Sequence, residues 1–310
     1  MAADIDVDAI LASLADRRPT PDDGAAVSAW MLGVLGVLHA PIFRSRELRA
    51  RLEAHGITER MAGYLAQRAA PLGLPGGRPG AGLVAATFYG FSPAAVAAHV
   101  PDVWERATPQ EVLTATFDAM RELLGGLLGD QEEAAGALAA LLTPIADAHA
   151  LAGRPLAAAW ADVPRTGEPL LDLWLATCVI RESRGDGHVA LLVAEDIGPL
   201  ESHLITAGDR SEARDTLAGM RGWSAAEVDA AADGLRARGL LDAEGRRTDR
   251  CRALRRDIER RTDELSATPW VGAGPEAVTR IGDLALALLP PVLASGTLLP
   301  PVLARLMPRA

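Results

Sequence analysis

The stretch Gly222-Trp223-Ser224-Ala225-Ala226-Glu227-Val228-Asp229-Ala230, continued by Arg238-Gly239-Leu240-Leu241-Asp242-Ala243-Glu244-Gly245-Arg246-Arg247-Thr248, decides the fold of this chain. Gly222 marks a turn, and Ser224 is a good N-cap for a helix over 224–238. The acidic tight turn at 242–245 splits a short strand-like run over 240–248, which predicts a small hairpin. An arginine-rich helix over 247–265 follows, and a further helix from 209 leads into Gly222.

Outward from this segment, helical periodicity dominates. Apolar residues recur at helical spacing over 25–39, 45–55, 58–70, 93–99, 109–128, 131–150, 170–181 and 189–195. Residues 83–88 are the one other strand-like run, and 71–82 is a glycine- and proline-rich loop. The expected fold is mainly α, with two helical halves: 1–152, then a linker over 153–169, then 170–285 carrying the hairpin-bearing module at about 209–265. Residues 286–310 form an apolar, proline-rich tail. The halves are linked by a weak repeat, because Gly90-Phe91-Ser92-Pro93-Ala94-Ala95-Val96 matches Gly222-Trp223-Ser224-Ala225-Ala226-Glu227-Val228, and Trp30 and Trp174 each begin an apolar helix.

The order of helix, turn, capped helix, Arg-Gly-Leu, hairpin and Thr-led helix resembles the winged helix-turn-helix of MarR-type regulators. With Arg68-Ala69-Ala70-Pro71-Leu72-Gly73 and Gly185-Asp186-Gly187-His188, residues 30 to 285 resemble an actinobacterial family of helix-turn-helix proteins often found near natural-product genes. The resemblance implies a winged helix and says little about activity.

Reading bases requires donors at the start of the recognition helix and cations for phosphates. Here Glu227, Asp229 and Asp233 are the only charges on its first turns, and the formal net charge of the chain is −10 with a pI near 5.1. A phosphate backbone would be repelled, so DNA is not the expected partner. In the following helix, Arg250, Arg252, Arg255, Arg256, Arg260 and Arg261 alternate with Asp257, Glu259, Asp263 and Glu264, the pattern of a solvated, self-paired face.

Composition narrows the chemistry. All 31 basic residues are arginine, which removes lysine Schiff-base chemistry and a Walker-type phosphate loop and suggests a GC-rich genome. Cys178 and Cys251 stand alone, so neither a disulfide framework nor a thiolate zinc site is expected, and a reducing, cytoplasmic setting fits. Asp4, Asp6 and Asp8 near the start argue against a signal peptide. The apolar stretch over 284–304 is about long enough to span a membrane, but Pro290-Pro291 and Pro300-Pro301 interrupt it. A tail packed on the body or on a second copy of the chain, in a homo-oligomer, is the expected alternative to a membrane span.

The densest polar segment is Arg181-Glu182-Ser183-Arg184-Gly185-Asp186-Gly187-His188. Read as a loop, its glycines would let His188 act as acid or base, Asp186 orient it, and Arg184 and Arg181 hold an anion. The competing reading makes Asp186 a helix cap and His188 a first-turn residue. His39, Tyr64, Arg68, Phe88, Tyr89 and Phe91 form a candidate opposing wall for an anionic or aromatic small molecule, the aromatics being open to a plain core reading as well. Metal binding by Glu182, Asp186, His188 and His39 is the weaker alternative, since no metal-ligand spacing is present, and the cofactor stays unknown. The expected function is a small-molecule enzyme or binder of specialised metabolism using acid-base chemistry, with a ligand-responsive transcriptional regulator as the alternative.

Overall fold

A computed structural model describes residues 6–207, 216, 218–298, 302–303 and 306. Its helices are α1 (Val7–Asp16), α2 (Gly24–His39), α3 (Arg46–Ala54), α4 (Arg60–Ala69), α5 (Ala81–Phe88), α6 (Pro93–Arg106), α7 (Pro109–Leu128) and α8 (Glu132–Asp147). They continue with α9 (Pro155–Ala161), α10 (Pro169–Ala194), α11 (Pro199–Ala207), α12 (Ala225–Ala237), α13 (Asp249–Leu265), α14 (Thr268–Ala273) and α15 (Pro275–Ala294). The helix expected to begin at 209 falls largely on 208–215 and 217, and Pro300-Pro301 on 299–301; both lie outside the described residues.

Local chemistry sets the helix starts. Asp6, Asp23, Ser45, Thr108, Ser224 and Thr248 each accept a first-turn backbone N–H, and Thr108 with Glu111 and Ser224 with Glu227 close reciprocal capping boxes. Prolines open α6, α7, α9, α10 and α15, where a missing N–H costs nothing.

Helix α10 is the axis of the molecule. It runs 26 residues and buries apolar side chains on nearly every side, as a core helix does. It crosses α2 and packs on α8, α9 and α13. The large core takes side chains from α1 through α10, α14 and α15, on both sides of the expected linker, within which α9 is helical. A smaller core joins the end of α10 with α11, α12 and α13 through Leu192, Leu204, Leu235, Leu241 and Ile258.

Three expectations are corrected. The hairpin wing is not formed, for no strand is present among the described residues and Leu241 meets Arg247 in a single antiparallel bridge. Leu240 and Leu241 are drawn into the small core, and Thr248 already caps α13, so too few residues remain on each side to build a ladder. Residues 83–88 are helical, because an apolar run this short does not distinguish strand from helix and packing against α6 decides. Pro290 and Pro291 lie within the last turns of α15 without ending it.

Two stretches, Gly24–Ala54 and Pro275–Ala294, are apolar and long enough to cross a membrane by length and composition alone. In this fold they supply core residues, among them Met31, Val34, Leu38, Ile281, Leu288 and Leu289. Tail residues Leu298 and Leu306 are buried too, and Arg17 donates to the Leu306 carbonyl at 2.5 Å.

The two matching turns pack on each other. The Ser92 amide donates to the Arg221 carbonyl at 2.9 Å, while Trp223 Nε1 (2.9 Å) and His203 Nε2 (2.8 Å) both reach the Gly90 carbonyl. The crossing extends to the long helices, since α2 packs on α15 as α10 packs on α8, and α8 meets α15. Gly222 has φ +80°, and a Cβ there would stand 2.3 Å from Ala95 Cβ. Gly153, at φ +72°, faces open space. Gly222→Ala should therefore lower unfolding stability by roughly 1–3 kcal/mol and by more than Gly153→Ala, which meets only the dihedral cost. Urea denaturation of the two variants checks this, and equal losses would show that the turn contact contributes nothing.

Candidate functional site

The polar segment 181–188 is helical throughout, and at about 100° per residue its side chains fan out to different neighbours. Arg184 and His188, four apart, face α13. Arg184 Nη2 lies 2.7 Å from Asp263 and 3.0 Å from Glu259, and His188 Nδ1 lies 3.0 Å from Thr262 Oγ1. Asp186 faces α9, where its Oδ2 accepts the backbone N–H groups of Leu156 (3.0 Å) and Ala157 (2.9 Å). It is a cap, but of an earlier helix rather than the following one. Residues two apart on a helix do not face each other, so Asp186 does not orient His188. Burial lifts the Asp186 carboxyl to about 6; the Ala157 and Leu156 amides restrain the rise and the nearby Glu182 charge adds to it.

Ser183 completes this side. Its hydroxyl accepts from Arg154 Nη1 and lies 2.9 Å from His149 Nδ1. Burial, then the Arg154 charge, lowers His149 to about 4, so the ring that meets the serine hydroxyl is neutral. Arg154 also donates to the Leu265 carbonyl at 2.8 Å, which makes the group a brace between α9, α10 and the end of α13.

Glu182, on another side of α10, is 4% exposed. Arg68 Nη2 of α4 reaches its Oε2 at 2.8 Å, and Arg181 Nη1 its Oε1. Against the opposing effect of burial, the Glu182 carboxylate and the Tyr64 hydroxyl push the Arg68 value further up and hold it charged. Arg68 Nη1 also donates to the Tyr64 hydroxyl at 3.2 Å, and Arg221 Nη1, from the turn before α12, approaches the same oxygen at 3.4 Å. Rings wrap the cations. Arg68 Cζ stands 4.6 Å from the centre of Phe88, Arg221 Cζ 4.3 Å from Phe91, and Arg181 Cζ 5.7 Å from Phe43.

Behind Phe43 lies His39, which packs edge-on to it and stacks on Trp174. Its Nδ1 is 3.6 Å from Cys178 Sγ. Burial, then the charges of Arg181 and Arg68, holds the ring neutral, and burial keeps the Cys178 thiol protonated. Two buried atoms here have no partner, His39 Nε2 and Arg68 Nε.

Of the residues singled out from sequence, Tyr64, Arg68, Phe88, Phe91 and Arg181 thus meet, with His39 one ring behind. Tyr89 leaves the group: its backbone takes φ +48° and its hydroxyl donates to the Ile197 carbonyl in the smaller core. Arg184, Asp186 and His188 hold helices together elsewhere. Phe43, Arg221 and Glu182 as the centre of the cluster were not foreseen. The signal for Glu182 was its place in the polar segment 181–188, directly after the apolar run 173–180, and nothing local marked Arg221. Among the described residues no group of three or more His, Cys, Asp or Glu is placed to hold a metal ion. Two surface depressions lie away from the cluster, one beside Arg18 and Trp30 and one beside Asp130, Ala134 and Leu284.

The fold and this cluster define a mainly helical protein in which a helix-turn-helix corner meets an arginine and aromatic group drawn from residues 43–91 and 181–221. A helix-turn-helix family matches residues 29–299, and the chain belongs to that family. No curated protein and no solved structure matches it.

The Asp186 geometry has a pH signature. A carboxyl whose folded value is raised favours the fold at low pH, and that advantage is lost as pH rises from about 4 through about 6. Asparagine keeps an acceptor oxygen without the charge, so Asp186→Asn should match or exceed the parent Tm at pH 7.5, with the difference shrinking toward pH 4. Asp186→Ala should lose about 0.5–2 kcal/mol as an unfilled cap. Thermal melts of both variants across that range check the assignment, and a strongly destabilised asparagine variant at pH 7.5 would refute it.

Proposed function

We propose that this chain is a small-molecule-binding protein whose ligand is an aromatic anion held by Arg68, Arg181 and Arg221, on a helix-turn-helix scaffold that does not read DNA. The observation that carries the reading is the charge count of the cluster. Three guanidiniums face one carboxylate and one phenol, with Arg68 Nε left without an acceptor. A carboxylate or phenolate would supply the missing charge and acceptor, and Phe43, Phe88 and Phe91 offer faces for a ring. Arg181, about one-third exposed, lies on the solvent side of the group and is the side chain that would move to admit a ligand.

The DNA-facing features point away from a nucleic-acid partner. Glu227, Asp229 and Asp233 of α12 are exposed, and Arg246 is paired with Asp242 and Glu244. One observation favours a ligand-responsive regulator as the second reading: Arg221 precedes Gly222 and Ser224, so a ligand that moves it acts on the start of α12. The cytoplasmic setting rests on two buried free thiols, Cys178 and Cys251. A place in actinobacterial specialised metabolism rests on resemblance and on the lysine-free composition.

Calorimetry with 1-naphthoate, and with 1-naphthalenemethanol as its neutral counterpart, tests the reading. The anion should bind and the alcohol bind more weakly, and Arg68→Met should weaken the anion by at least about tenfold, the scale of one charge-assisted hydrogen bond. Equal binding of both compounds, or an unaffected Arg68→Met, would remove the cluster as the site. In parallel, duplexes from the neighbourhood of the gene should show no saturable binding at moderate salt. A nanomolar sequence-specific shift, lost when Arg246 and Arg247 are replaced, would establish the regulator instead.

A further inference from the structure

Tyr64 stands out within the cluster for what surrounds its hydroxyl. Two guanidinium N–H groups point at the oxygen, Arg68 Nη1 at 3.2 Å and Arg221 Nη1 at 3.4 Å, and the phenol's own proton has no acceptor among the described residues. Among the described residues the carboxylate of this cluster, Glu182 of α10, is committed to Arg68 and Arg181. Arg181 of α10 adds a third cation, the α5–α6 corner contributes only the rings of Phe88 and Phe91, and His39 of α2 is neutral behind Phe43. An oxygen that receives two charged donors is better satisfied as an anion.

We propose that Tyr64 is the proton acceptor of this site, taking a proton from a bound carbon or oxygen acid whose conjugate base is a delocalised anion. The proposal rests on the aromatic-anion reading above and adds a reaction to it. In the step, the substrate C–H or O–H bond breaks, its electron pair stays on the substrate, and the proton moves to Tyr64 Oη to give the neutral phenol. Arg68 and Arg221, released from the phenolate, then face the new substrate anion, so total charge at the site is unchanged and no oxidant or reductant is needed. Burial alone would push the phenol up, but Arg68, then Arg221 and Arg181, bring it down to about 7, where a base is most effective near neutrality.

The chain has two tyrosines, which makes the ionisation directly readable. Burial and the charges of Glu201 and Asp196 push Tyr89 above the usual phenol value. Phenolate absorbance at 295 nm, followed from pH 5 to 12, should show one tyrosine ionising near neutrality and the other beyond the ordinary range. Tyr64→Phe should abolish the first step and Tyr89→Phe the second, while Arg221→Met should move the first step upward without removing it. Both steps at pH 10 or above would overturn the proposal, even if naphthoate binds. A step near neutrality without naphthoate binding would instead overturn the binding reading and leave the ionised Tyr64 standing. The catalytic arm uses phenylpyruvate, an aromatic anion with exchangeable benzylic hydrogens, observed by proton NMR in D2O. The protein should accelerate exchange, the rate should follow the first ionisation, and Tyr64→Phe should lower it by about 100-fold or more while calorimetric binding persists. Binding of phenylpyruvate with no exchange that depends on Tyr64 would overturn the catalytic role.

Discussion

Glu182 places a negative charge at the centre of the longest helix, where water does not reach it. A lone carboxylate there would cost several kcal/mol, and the molecule meets that cost with Arg68 from α4 and Arg181 from the next position on α10. The consequence is architectural. Arg68 fixes the end of α4 against α10, its flat group fixes Phe88 at the end of α5, and through Tyr64 it fixes Arg221 at the turn before α12. Three separated parts of the chain are thereby referred to one charge. Replacing the pair by apolar residues of similar volume could keep the fold, as buried ion pairs often allow, but it would remove a guanidinium on which the proposed anion binding depends.

The cooperation between helices follows from the burial of α10. Gly185 and Gly187 each cost roughly 1 kcal/mol against alanine within a helix, which is why the segment reads as a loop on local grounds. In the fold that cost is outweighed by packing on α8, α9 and α13. Close approach does not require either glycine, since a Cβ on Gly187 would stand 3.8 Å from Leu265 and one on Gly185 3.5 Å from Glu182, both ordinary contact distances.

What the sequence disclosed, and what it hid, divides along the range of the forces involved. The helices, the caps at Ser224 and Thr248, and the neighbourhood of Tyr64 and Arg68, one turn apart on α4, depend on short spacings and were legible. The hairpin failed because its flanks are claimed by a hydrophobic core and a helix cap, competitors that act through the tertiary structure. Asp186 was recognisable as a residue suited to capping, but the amides it accepts from, those of Leu156 and Ala157, lie 30 and 29 residues earlier, a distance no local pattern spans. Arg221 meets Tyr64 across 157 residues and gave no local sign of doing so. The acidity of α12 needed only the sequence, because charge on an exposed face is felt without knowing what lies behind it.

The contact between the two matching turns has a mechanical meaning. Ser92 and Trp223 tie the corner before α6 to the corner before α12 by two hydrogen bonds, His203 of α11 adds a third to the first corner, and Gly222 stands close against Ala95. Phe91 and Arg221, the residues next to those bonds, both touch Tyr64. The two corners therefore work as a hinge pin shared by a pair of levers. Pivoting either α6 or α12 alone would strain the bonds between the corners, and both corners reach the same phenol.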